Sequence, residues 1–417
     1  MTNKKNYFLV GLVIFIFAVI SFCSNILGPI ISDIKKDLDL SATTEALLSA
    51  FFFIAYLFSI PMAILAEKIG QKKIILLSFI VAAIAALLIG YYAFTGVLMI
   101  CFFAIGLGMA TLQVVINPLL RAAGGEENFA FYSVVAQIVF GAAAYGAPPV
   151  QRWIGNNLAV LQDSVIGGII HPDYKWAASY IMIFITITVI IFLISFLKLP
   201  EVELAEDEQT ASKNTYLDLL KNPKVWIYFF AIFAYVGTEQ GVTLRLKEFL
   251  MQNHQYSAIN AEECISNFWA FLSVGCLIGL VLVKLFPGKS LLKSFVILAI
   301  ISLSFGLFGN AIMSYYGFIA VGFFLSVMWS INISLGLNSI KAHQGALAGI
   351  LCTGIIGGSI CPLIIGKIID LTGSIKTGML LNYVTLGYIL FVSFYAKPIV
   401  ENKIVKIKDL FTKEGWV

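Results

Sequence analysis

The residues best suited to chemistry in this chain are one carboxylate and a set of neutral amides buried in long apolar runs. Glu239 lies in a run covering 225–246. At ~1.5 Å per helical residue it sits about 20 Å from the start of that run, past the middle of a bilayer. A bare carboxylate there costs ~2.5 kcal/mol or more, so it must face water, a cation or a partner, or carry a proton. Proton transfer is the chemistry this placement offers. Six residues on stands Arg245, one of three arginines in a chain that otherwise uses lysine for positive charge. Its rigid fork suits a carboxylate, a phosphate or a stacked ring. An ion pair with Glu239 and a charge reaching outward to the interface are the alternatives. The neighbouring Lys247 and Glu248 are expected to be solvated.

The amides are Gln113, Asn117, Gln137, Gln240, Asn267 and Asn332, and the aromatic faces are Trp269 and Trp329. Amides that donate and accept together suit a ligand rich in hydroxyls, and aromatic faces suit its C–H surfaces. For any single amide an interhelical hydrogen bond is the alternative, and for Trp269 the alternative is packing. No histidine lies within an apolar run, no Ser/His/Asp set stands out, and the six cysteines show no metal-ligand spacing. An enzyme is not expected, nor is a cofactor or a metal. Pore-lining repeats that would argue for a channel are also missing.

The elements that must position these residues are membrane helices. Of 417 residues 60% are hydrophobic and 12% charged, and the apolar ones gather in twelve runs long enough to span ~30 Å of hydrocarbon. The expected fold is all-α, with twelve transmembrane helices. The first run follows Lys4 and Lys5 but exceeds a signal core and lacks a small-x-small cleavage site, so it reads as a retained helix. Placing the N-terminus inside puts 19 of the 27 Lys and Arg on the cytoplasmic side, so both termini are expected there. The net charge of +4 reflects that asymmetry, and nucleic acid is not an expected partner.

A polar stretch divides the runs into six and six. The expected organisation is an N-terminal six-helix bundle over 1–199, a cytoplasmic linker over 200–224, a C-terminal bundle over 225–396 and a cytoplasmic tail over 397–417. Tyr216, Leu217, Leu219 and Leu220 near the end of the linker predict a short amphipathic helix on the inner membrane surface. The halves also echo each other. The fifth run carries Gly141 and Gly146 before Pro148–Pro149, and the eleventh carries Gly345, Gly349, Gly354, Gly357 and Gly358 before Pro362. Such weak internal symmetry is the mark of transporters built from repeats, and the glycines predict a moving interface.

The stretch 63–73, with Glu67, Lys68, Gly70 and Lys72, resembles the loop between the second and third helices of the major facilitator superfamily. The resemblance implies two pseudo-symmetric six-helix bundles, with Glu67, Lys68, Gly70 and Lys72 as a conformational latch. A narrower resemblance, to the fucose, galactose and hexose symporter group typified by bacterial fucose permease, covers most of the chain. It rests on 24–29 in helix 1, 106–118 in helix 4, Gln137 in helix 5, 235–241 in helix 7 and 324–336 in helix 10. Asn25 and Gln113 stand where that group carries ionisable carboxylates, and Phe140 where it carries an amide. Glu239 is then the best remaining proton acceptor, with Asp33 and Glu45 nearer the outer surface.

The resemblance implies a sugar or sugar-like substrate moved by alternating access. Asn25, Gln113, Asn117, Gln137, Gln240, Asn267, Trp269, Trp329, Asn332 and Arg245 are the candidate substrate contacts, and Glu239 the candidate proton carrier. Gln113 and Gln137 lead the list because the resemblance places both on cavity-lining helices. The expectation is a monomeric carrier in the bacterial cytoplasmic (inner) membrane that imports a monosaccharide or amino sugar with a proton, sodium being the other coupling ion considered. The alternatives are a permease for an acidic sugar or cell-wall fragment with Arg245 as anion contact, and an uncoupled sugar facilitator.

Overall fold

A computed structural model describes residues 6–92, 94–124, 129–163, 167–171, 173–197, 213–340 and 344–397, nearly all of them helical. The linker over 200–212, the tail from 398 onward, and the side chains of Glu67 and Asn117 lie outside the described residues. The long helices, numbered in order, are α1 (Tyr7–Asp37), α2 (Ala42–Met62), α3 (Gln71–Tyr91), α4 (Thr95–Gly124), α5 (Phe129–Asn156) and α6 (Lys175–Phe196). They continue with α7 (Pro223–His254), α8 (Ala258–Leu285), α9 (Gly288–Phe308), α10 (Ala311–Gly336), α11 (Gly349–Thr372) and α12 (Ile375–Tyr395). Among the described residues eleven of these are both long and apolar enough to cross a membrane. The other, α5, has 28 residues and a length of about 42 Å, enough to span the same distance, and carries two prolines inside it.

Consecutive long helices run antiparallel, several of them through short turns such as those at Gly70 and Gly373, which gives the bundle two faces. The near face carries the start of α1, where the Asn6 N–H donates to the Ala123 carbonyl at the end of α4. It also carries the turn at Gly70, whose φ of +89° favours glycine, and the helix Lys213–Leu220 that the linker pattern predicts. The far face carries the α1–α2 turn, where Ser41 caps α2 by accepting from the Thr44 N–H, and the α11–α12 turn at Gly373.

Four helices are broken, three of them at identifiable residues. Pro29 has no N–H for the Asn25 carbonyl, and α1 is interrupted at Ile26. Pro61 does the same to Leu57 inside α2, where Ala55–Phe58 tightens to a 3₁₀ turn. In α11 the 3₁₀ turn Gly354–Ile356 falls in the glycine run, and α10 breaks at Ser326 and Val327. These breaks cluster at middle depth and loosen backbone where the polar candidates sit.

Within each half the helices pack as a bundle: α1 on α4 and α5, α3 on α4 and α6, then α7 on α11 and α12, and α8 and α9 on α10. The halves meet through α2 against α11 and α5 against α8, two contacts related by the six-plus-six repeat. Glycine allows both. A Cβ at Gly366 would stand 2.6 Å from the Ala42 carbonyl oxygen across the first, and one at Gly141 would collide with Ser273 Oγ across the second. Gly358, against Phe53, extends the first contact toward the centre. The glycine-rich runs therefore do line the interface between halves, although Gly354 and Gly357 pack within the second half, against α7.

Candidate functional site

Polar side chains from both halves converge at middle depth. In the first half, Gln113 Nε2 on α4 donates to Tyr56 Oη on α2 at 3.1 Å. Beside the break in α1, Asn25 Nδ2 donates to the Ser21 carbonyl at 2.9 Å, and Ser24 Oγ donates to the Ile20 carbonyl. Gln137 is half-buried on α5. In the second half, Glu239 accepts from Tyr235 Oη at 2.8 Å and from Gln240 Nε2 at 3.2 Å. Trp329 of α10 leans over Tyr235 with ring centroids 5.9 Å apart. Gln240 and Ser24 line one pocket, so the two groups are neighbours across the joint. A half-buried carboxylate held by two donors, flanked by amides and an aromatic face, can exchange a proton beside a hydroxyl-rich ligand.

The other candidates separate. Asn332 on α10 is wholly buried, and neither its Oδ1 nor its Nδ2 has a partner, which leaves an amide ready for a contact. Asn267 donates to Tyr315 Oη at 3.1 Å in the far-face third of α8, away from Glu239. Trp269 is 2% exposed and packs edge-on to Phe268, so it belongs to the packed core rather than to a ligand face. The six cysteines are free, as packing residues should be.

Arg245 overturns its expected roles. It neither pairs with Glu239 nor reaches outward. It is 1% exposed, it pairs with the equally buried Glu45 of α2, and its Nη2 donates to the Ala42 carbonyl at 3.0 Å. One turn of helix separates Glu45 from the Arg245-facing end of α2, a relation across 200 residues of chain that spacing along one run does not reveal. Lys247 and Glu248 are not solvated either. Lys247 is 3% exposed and reaches the Pro29 carbonyl, Asp33 and Glu262, while Glu248 accepts from Lys35 at 2.8 Å.

All of these contacts lie at the far face, and those between the helix pairs of the two halves form a seal. Asp370 at the end of α11 accepts from the Ala42 and Thr43 N–H groups at the start of α2, at 2.9 and 2.8 Å. At the repeat-related position, Arg152 near the end of α5 faces Glu262 and Glu263 at the start of α8, at 3.6 and 3.7 Å. One joint thus sets a carboxylate on helix N–H groups, and the other a guanidinium on carboxylates. At the near face lie the described residues of the expected latch. Gly70 makes the turn, Lys68 is exposed, and Lys72 donates to the Ser195 carbonyl of α6, inside its own half.

Residues that sequence reasoning passed over complete the picture. Tyr235 stands one helical turn before Glu239, and that i, i+4 spacing was a usable signal. Tyr56 gave none, because its partner comes from another helix, and Glu45, considered only as a proton acceptor, gave no sign of its pairing with Arg245.

With this geometry in hand, three comparisons place the chain among known proteins. The family model described as Major Facilitator Superfamily matches residues 13–362. The glucose/galactose transporter of Brucella abortus is 27% identical over 409 residues, covering 94% of each chain. The L-fucose-proton symporter of Haemophilus influenzae is 22% identical over 384 residues, covering 85% of this chain and 87% of its own. The crystal structure of the Escherichia coli fucose:proton symporter superposes with a TM-score of 0.66 at 20% identity, over 93% of this chain and 97% of that one.

Proposed function

This chain belongs to the Major Facilitator Superfamily, and from that premise we propose that it imports a monosaccharide or amino sugar together with a proton. Two halves rock about a central site to do so. The observation that carries the reading is Glu239, a carboxylate at the middle of α7, bonded to Tyr235 and to Gln240, which lines the pocket at the joint between halves, with Trp329 beside Tyr235. The names of the similar proteins, glucose/galactose transporter and L-fucose-proton symporter, support both the substrate class and the coupling ion.

In this reading Glu239 carries the proton, and Asn25, Gln113, Asn117, Gln137, Gln240 and Asn332 supply hydroxyl contacts, with Trp329 as the face for the sugar ring. Arg245 is spent on Glu45, which argues against an anionic substrate held there. The near face is cytoplasmic, as the lysine distribution expects, and the protein works as a monomer in the inner membrane. The sealed far face then corresponds to a state closed to the outside. Gly70 and the charges around it form the opposite closure.

The test is uptake into proteoliposomes of the purified chain with an imposed pH gradient, using glucose, galactose, fucose and glucosamine in turn. The reading expects saturable accumulation of at least one sugar that collapses with a protonophore. Accumulation that requires sodium and ignores the proton gradient would replace the proton with a cation. Equilibration without accumulation would make the protein an uncoupled facilitator.

A further inference from the structure

Between the ion pair Arg245–Glu45 and the central amides lies an enclosed pocket lined by Ser24, Ser49, Phe52, Phe102, Tyr180 and Gln240. Along α2, Glu45, Ser49, Phe52 and Tyr56 follow one another at helical spacing from the far face inward, so the pocket sits directly beneath the seal. Its free volume, about 10 Å³, matches a single water molecule. Ser49 Oγ and Tyr180 Oη are buried and have no hydrogen-bond partner in the protein, although each is a strong donor. A buried hydroxyl without a partner is costly, and two on residues that line one small volume call for a shared polar occupant. No carboxylate lines the space, so a cation finds no counter-charge, and a sugar ring does not fit. Gln240 closes the inner side, with its Nε2 already on Glu239.

We propose that this pocket is an internal-water site that serves Glu239 from the far face, with Gln240 as the link. The proposal rests on the reading of Glu239 as proton carrier. In the sealed state the water joins Ser49, Tyr180 and Gln240 and so holds Gln240 against the carboxylate. When the halves part at the far face, bulk water enters through the same space and a hydronium passes its proton to Glu239. One O–H bond breaks on the hydronium, one forms on the carboxylate, and water remains. Gln240 is a positioning residue here, since the proton itself travels on water.

X-ray hydroxyl-radical footprinting of the intact protein in proteoliposomes tests the water directly, because radiolysis of a bound water oxidises side chains beside it whatever their exposure. Tyr180 and Tyr228 are each 1% exposed, but Tyr228 bonds to Ser339. Tyr180 is expected to oxidise several-fold faster than Tyr228, and Ser49→Val, which fills the pocket with apolar atoms, to remove the difference. Ser49→Val should also lower pH-gradient-driven uptake roughly fivefold or more, the effect of one lost buried hydrogen bond, while sugar counterflow stays at the wild-type rate. Tyr180→Phe, which preserves the packing, should act in the same direction. Equal oxidation of Tyr180 and Tyr228 in the wild type overturns the water site. Driven uptake that needs Glu239 yet ignores both variants overturns the link, whereas driven uptake that survives Glu239→Gln overturns the carrier reading instead.

Discussion

Replacing Glu45 with Gln removes one charge from the far-face seal while keeping its shape. In the sealed state Arg245 then keeps the Ala42 carbonyl but loses its carboxylate, and Glu248 Oε2 at 3.5 Å is its remaining anionic neighbour. Stranding a buried charge in this way costs roughly 3 to 5 kcal/mol. Glu248 offsets part of the loss, so the lower end applies. Once the far face opens, both groups meet water and the penalty disappears. The ratio of sealed to open molecules should therefore fall by about 3 kcal/mol, roughly 150-fold. The assay is maleimide labelling of a single cysteine at position 49, in a background where the six native cysteines are replaced. Glu45→Gln should raise the labelling rate roughly 100-fold, and adding Arg245→Gln should return most of it, since no stranded charge then remains. A labelling rate unchanged by Glu45→Gln, or a double variant that opens further than the single one, would refute the account of the seal.

Gln113→Ala or Gln137→Ala, if each contacts substrate hydroxyls, should weaken sugar binding about 5-fold to 150-fold in a thermal-shift or calorimetric titration of folded protein, and wild-type affinity in both would move the site elsewhere. Single cysteines at positions 213 and 163 should label oppositely with an impermeant reagent in intact cells, 163 reacting and 213 protected; labelling at 213 would invert the topology. At the α5–α8 joint, Gly141→Val should hinder closure because even a Cβ there meets Ser273 Oγ, and Gly141→Val with Ser273→Gly should recover transport in a counterflow assay.

The fold was legible because its determinants are one-dimensional. Run length and the alternation of apolar runs with polar breaks depend only on position along the chain, and they survive any error in tertiary packing. The glycine pattern was legible for the same reason, and Gly141 and Gly358 do stand at the joint between halves. The site was less legible. Glu239 announced itself by its cost in hydrocarbon, but the partners of Arg245 and Lys247 did not. Arg245 meets Glu45 and Lys247 meets Asp33 only because α7 crosses the far ends of α1 and α2, 200 and 214 residues away in sequence. A lone buried arginine says that a partner exists without saying which, and the pair with Glu239, one of the alternatives that proximity along α7 offered, does not form.

The most direct test of the central claim is Glu239→Gln in proteoliposomes, assayed for both pH-gradient-driven accumulation and sugar counterflow. Gln keeps the size and the hydrogen bonds to Tyr235 and Gln240 but cannot carry a proton. Exchange of bound sugar across the membrane does not require the proton to leave, whereas net accumulation does. The account predicts that accumulation disappears while counterflow persists. Accumulation that persists in Glu239→Gln would contradict it.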